Sequence, residues 1–134
     1  MSLYICVIDP CTDSDADGLE IYSEEFDEFR NFVAEQLDDD FQVLMSFDPW
    51  DGVWTVEEAR ALSVEVTLIE MRLRQTKIPR RLMGKAMKRA RVRRRGVPRS
   101  MNEYFITNNG DPIAMNLRML AELCIELQGS IRSQ

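Results

Sequence analysis

Leu3-Tyr4-Ile5-Cys6-Val7-Ile8 is the longest uninterrupted apolar run in the chain, and it stops at Asp9-Pro10. Six residues are too few for a buried helix. A short apolar run bounded by turn residues reads as a strand buried on both faces and central in a sheet. The rest of the chain must then supply layers to cover it. Residues 9–20, rich in Asp and other turn-forming residues, read as an acidic loop leading away from that strand.

Helical periodicity follows. From Ser23 onward, Phe26, Phe29, Val33 and Leu37 recur at spacings of three and four, which makes one apolar stripe. Glu24, Glu25 and Asp27 fill the first turn, where the helix dipole favours carboxylates. Asp38, Asp39 and Asp40 end that helix with the wrong sign, so they are expected to be solvated or met by cations. Residues 41–47 read as a second strand and residues 48–54 as a loop. Thr55-Val56-Glu57-Glu58 has the pattern of a capping box. It opens a helix with Ala59, Leu62, Val66, Ile69 and Leu73 on one face. Residues 80–90 form a shorter helix after Pro79. Residues 104–107 are a short strand candidate, and Asn108-Asn109-Gly110 is a turn. In the last helix Asp111 is the expected cap, Pro112 the first residue and Gly129 the stop. Its stripe is Ile113, Leu117, Leu120, Cys124 and Leu127. Residues 131–134 return as a final strand. This order predicts an α/β or α+β fold, a two-layer single domain over residues 1–134. A small sheet is covered by three to four amphipathic helices.

Charge is strongly segregated. The net charge of −6 hides nineteen carboxylates in residues 1–71 against only Arg30 and Arg60. Residues 72–99, a basic insert, hold thirteen of the seventeen Lys and Arg residues and no carboxylate. Such blocks either meet each other in the fold or await a partner. Thirteen cations suffice for salt-sensitive nucleic-acid binding. Yet no aromatic residue lies among them to stack on bases, and the acidic remainder repels a polyanion.

Composition narrows the chemistry. The chain has no histidine, which removes the commonest general base and metal ligand, along with any Ser–His–Asp or Cys–His arrangement. There is no Cys-x-x-Cys and no Gly-rich phosphate loop. Nothing in the spacing of the many carboxylates singles out an acid–base pair, so no enzyme is expected. Three cysteines (Cys6, Cys11, Cys124) cannot all pair within one chain. With no apolar span and no signal-like start, they suggest reduced thiols and a cytoplasmic protein.

Two loops carry candidate binding residues. Asp13, Asp15, Asp17, Gly18 and Glu24 match the D-x-D-x-D-G-x5-E pattern of a calcium loop. Against that reading, a strand precedes the pattern where a calcium hand has a helix, and Glu20 occupies a position that is normally apolar. The plainer alternative is an exposed acidic loop, and no cofactor or metal is expected. Residues 48–54 hold Asp48, Trp50, Asp51 and Trp54. Trp54 is expected to plug the core at the helix start. For Trp50, a core role and a protein-binding role stay open, since Trp is frequent in both settings.

Three segments together resemble the immunity protein 70 family of bacterial polymorphic toxin systems. One is Leu3 to Asp9 followed by Asp17-Gly18. Another is Leu44-Met45 followed by Asp51-Gly52-Val53-Trp54-Thr55-Val56-Glu57-Glu58. The third is Pro98-Arg99-Ser100-Met101, Phe105-Ile106 and Gly110-Asp111-Pro112-Ile113, ending in Gln134. The basic insert departs from the more proline-rich connection of that family. The resemblance implies a small cytoplasmic antitoxin that neutralises a cognate toxin by binding it, without enzymatic activity. Our own expectation for the contact residues is Asp13, Asp15, Asp17, Asp48, Trp50 and Asp51. The partner is then a toxin protein, and neither nucleic acid nor membrane. The alternative is a nucleic-acid-associated or regulatory protein that binds through residues 72–99. A dimer with one chain's basic insert on the other's acidic face is compatible with the charge distribution.

Overall fold

The computed structural model describes residues 1–134. β1 (Ser2–Asp9) lies inside a four-stranded sheet of order β2-β1-β4-β3, with β2 (Ser14–Tyr22), β3 (Val53–Trp54) and β4 (Ser130–Ser133). Every pairing is antiparallel. The first and last strands of the chain are therefore neighbours, and β1 is paired on both sides.

The expected acidic loop is mostly strand. Only residues 10–13 turn, held by the Asp13 N–H on the Asp9 carbonyl at 2.8 Å and the Cys11 N–H on Asp9 Oδ1 at 2.8 Å. Asp13 takes a left-handed φ of 54° there, which Asp tolerates better than most residues. Asp15-Ala16-Asp17-Gly18 has poor strand propensity. It is extended because β1 offers a full ladder to pair with, from Ser2↔Tyr22 to Asp9↔Ser14.

Four long helices and two short ones cover one face of the sheet. α1 (Ser23–Gln36), α3 (Val56–Arg74), α4 (Arg80–Val92) and α6 (Ile113–Leu127) are the long ones. This is the α+β reading of the sequence. The stripes of α1 and α3 are buried as expected, with Phe32 added to the first. The Thr55–Glu58 capping box forms in both directions. Leu3, Ile5, Val7, Leu19, Ile21 and Ile131 point from the sheet into the same core. Of the three Asp residues after α1, all are exposed and Asp39 is met by Arg72 at 3.7 Å.

Three local expectations are corrected. Residues 41–47 are not a strand: α2 (Gln42–Ser46) is a short helix. Glu65 of α3 caps it from outside, accepting the N–H groups of Val43 at 3.1 Å and Leu44 at 3.0 Å. Residues 104–107 are not a strand either. α5 (Met101–Tyr104) ends there, and only Ile106 makes a bridge, to Pro112. At α6, Asp111 makes no side-chain cap and Pro112 stands at the cap position. The left-handed residue at the other end is Gln128 (φ 53°), one residue before the expected glycine. Gly129 is needed for space, because a Cβ there would collide with the Ile8 carbonyl.

We predict that Glu65→Ala lowers stability by about 1.5–3 kcal/mol, since two N–H groups lose a charged acceptor. Glu65→Gln, which keeps one acceptor oxygen, should cost less. Urea midpoints read the difference; an unchanged midpoint in Glu65→Ala would mean that water replaces the cap.

Candidate protein-binding surface

Because the helices sit on one side only, the other face of the sheet is bare. Strand alternation places Tyr4, Cys6 and Ile8 of β1 there. Their register partners share that face: Glu20 opposite Tyr4, Gly18 and Arg132 opposite Cys6, Tyr22 opposite Ser2, and Val53 opposite Arg132. Tyr22 and Val53 are each about half exposed.

A β-bulge between Val7 and Ile8 leaves Ala16 unpaired and sets Asp15 opposite Ile8. One extra residue re-aims the side chains that follow it. Asp15 is thereby brought within 2.9 Å of the Tyr4 hydroxyl, which donates to it. The Tyr4 ring lies over Gly18, where a Cβ would come within 2.6 Å of it. Burial, then the hydrogen bond to Asp15, pushes Tyr4 up to about 12, so its phenol stays a donor at neutral pH. Cys6 is fully buried, and burial pushes its thiol up, with Asp15 adding to the effect. Burial does the same to Cys124. Neither thiol is poised as a nucleophile.

The hairpin formed by β1 and β2 is acidic without compensation. Residues 1–22 contain no Lys or Arg, and no ion pair reaches Asp9, Asp13, Asp15, Asp17 or Glu20. The calcium pattern is pulled apart. Asp13 lies in the turn before β2 and Glu24 in the first turn after it. Nine extended residues separate them, on the order of 30 Å, so they cannot close one site. No group of three or more acidic or Cys side chains is arranged to hold a metal.

The Trp50 loop is held firmly. Asp48 Oδ1 accepts the Trp50 N–H at 2.9 Å, and the Asp48 carbonyl accepts the Gly52 N–H at 2.7 Å. The Ser133 hydroxyl donates to the Pro49 carbonyl. Trp54 is core: it stacks on Phe47 at 3.8 Å, and its indole N–H donates to the Val43 carbonyl at 3.0 Å. Trp50 is 57% exposed, with exposed Asp48 and Asp51 beside it. The sheet does not bring the two expected contact groups together. Asp13, Asp15 and Asp17 sit on the β2 edge at the Ile8 end. The Trp50 loop sits by the β3 edge beyond Ser133, about 14 Å away across the strands alone. They are opposite corners of one sheet.

No protein-family model, curated protein or solved structure matches the chain. The likeness to the immunity family therefore stands on the short motifs quoted above.

The basic insert divides in two. One side of α4 meets acids of α1. Lys85 and Arg89 reach Glu28 at 3.2 and 3.1 Å, and Arg93 reaches Glu25 at 2.9 Å. Arg89 also lies over the Tyr104 ring at 5.0 Å, while the Tyr104 hydroxyl donates to Glu28 Oε1 at 3.0 Å. The other side is free: Arg80, Lys88 and Arg91 are exposed and have no carboxylate partner, whereas Arg81 faces a cleft lined by Glu24, Asp27, Glu28 and Glu35 of α1. Sequence reasoning missed the bare-face residues Tyr4, Glu20, Tyr22 and Arg132. Only the strand register, unavailable to single-strand patterns, aligns them.

Glu28 gives α4 a pH signature. Burial works to raise its carboxyl; the Tyr104 hydrogen bond, the Arg89 charge, and bonds from Lys85 and Arg89 outweigh it and hold it below its ordinary 4.5. A carboxyl depressed on folding stabilises fully above the ordinary range, and that stabilisation is lost as pH falls through the folded value. Tyr104 is pushed from 10.0 up to about 12, chiefly by burial, with Arg89 opposing and Glu28 adding. Its contribution is complete below pH 10 and lost as pH rises towards 12. We predict that amide-exchange protection of α4 falls selectively at both extremes. Glu28→Gln should abolish the acid step and Tyr104→Phe the alkaline one. Unchanged steps in these variants would place the titration elsewhere.

Proposed function

We propose that this chain is a non-enzymatic antitoxin, a cytoplasmic immunity protein that occludes a basic surface of a cognate toxin. The single observation that carries this reading is the acid hairpin. Its five carboxylates form no ion pair within the molecule, although α4 matches the acids of α1 closely. Unmatched carboxylates on a rigid hairpin would steer a cationic partner and reject acidic ones. Trp50, exposed on a braced loop, supplies an aromatic anchor of the kind that dominates binding energy. The reduced state of all three cysteines fits a reducing compartment, and no helix is long and apolar enough to cross a membrane. The likeness to the immunity protein 70 family supports the same reading.

A second reading is favoured by the free side of α4. Arg80, Lys88 and Arg91 fall within about 80° of arc on an ideal helix, a row suited to phosphates. Nucleic-acid binding through this row would fall steeply with salt.

Captured partners distinguish the two. Immobilised protein should retain one polypeptide, encoded beside this chain, through a high-salt wash and nuclease treatment. Retention of nucleic acid alone, released by salt, would favour the second reading. With the partner in hand, Trp50→Ala and the combined Asp13→Asn, Asp15→Asn, Asp17→Asn variant should each weaken binding about tenfold or more with unchanged circular dichroism. Parent affinity in both would refute these contacts.

A further inference from the structure

A groove of about 730 Å³ runs between α4 and the strap of residues 95–99, with α5 and the 110–112 turn beneath it. That volume is in the range of small-molecule sites, about 300–1,000 Å³. α4 faces it with the closely packed Ala86 and Ala90, and across from them half-exposed Val97 and Pro98 supply an apolar wall. Tyr104 and Ile106 complete an apolar floor. The rim is cationic. Arg95 is seated rather than loose: its guanidinium donates to the Gly110 carbonyl and occupies the space that a Cβ on Gly110 (φ 87°) would take. Arg99 has its backbone N–H fixed by Glu103 Oε2 at 2.6 Å, while its guanidinium has no carboxylate within ion-pair reach. Glu103 is the only carboxylate among the lining residues.

We infer that this groove binds a small amphiphilic organic anion, with its apolar body against the Val97–Pro98 wall and a carboxylate or phosphate head between Arg95 and Arg99. Guanidinium forks match such heads. A nucleotide is disfavoured because Tyr104, the one aromatic in the groove, is only 2% exposed and offers no ring face for a base. A bare phosphate ion would leave the apolar Val97–Pro98 wall wet. A neutral hydrophobe would leave both guanidinium groups unused.

The test is calorimetry on the full chain with decanoate and decyl phosphate below their micelle concentrations, against 1-decanol and inorganic phosphate. At least one amphiphilic anion should bind saturably at one site, with both controls about tenfold weaker or worse. Whichever of the two binds more tightly identifies the preferred head. Arg99→Gln should weaken that binding about tenfold, with Arg99→Lys restoring part of it. Val97→Asp, at a half-exposed wall position, should weaken it too by repelling the anion. Lys88→Gln, on the outer side of α4, should leave it unchanged. The inference is overturned if neither anion saturates, if decanol binds as tightly as the anions, or if Lys88→Gln costs as much as Arg99→Gln. Circular dichroism and melting of each variant separate lost binding from lost fold.

Discussion

β1 carries apolar side chains on both faces, but helices cover only one of them. Everything else in the sheet answers that mismatch. On the helix side, Leu3, Ile5 and Val7 enter the common core with stripes from α1, α3 and α6. On the bare side, Cys6 and Ile8 are still buried, at 0% and 8% exposure. No second layer shields them. Tyr4 lies flat across Gly18, and a bulge turns Asp15 to receive its hydroxyl. Flanking strands carry Arg132 and Glu20 on the same face. The glycine, the bulge and the tyrosine act as a unit: a side chain at position 18 would displace the Tyr4 ring from its place against Gly18.

The helical layer depends on a different device. α4 buries only Ala86 and Ala90 as apolar residues. With Leu82 partly buried against the core, these residues bury only a modest area for a helix of thirteen residues. Its orientation is also set by Lys85, Arg89 and Arg93, which recur every fourth residue and face Glu25 and Glu28 of α1. Half-buried charge pairs of this kind specify geometry more than they add stability. The Tyr104 hydroxyl on Glu28 extends the network to α5.

What the sequence revealed follows from this division. α1, α3 and α6 were legible because their burial is one-sided and local, so the three-and-four spacing survives in the chain. The Thr55–Glu58 box was legible because all its partners lie within four residues. β1 was legible as a short apolar run, and β4 as the segment after the glycine that stops α6. β2 was not, because Asp15-Ala16-Asp17-Gly18 is extended only through pairing with β1. α2 was not, because its cap is Glu65, more than twenty positions away in sequence. At the candidate site, the exposure of Trp50 and the acidity of residues 13–17 could be read directly. Their separation to opposite corners of the sheet, and the residues between them, required the register.

The unmatched acids of the hairpin admit a purely structural explanation, which reaches only part of the way. Charged residues on an edge strand discourage pairing with another chain, and Asp15 and Asp17 on β2 can serve that end. Asp9 ends the inner strand β1 and Asp13 lies in the turn, neither on the open edge of β2, so edge protection does not account for them. Mutual repulsion among five carboxylates with no Lys or Arg in residues 1–22 works against folding, and one or two Lys residues on the exposed positions would relieve it. The chain does have cations to spare, yet Arg80, Lys88 and Arg91 face solvent from the helix layer. Stability alone would favour bringing the two sets together. Keeping them apart makes sense if the hairpin's charge is directed outward, towards a partner that brings its own cations.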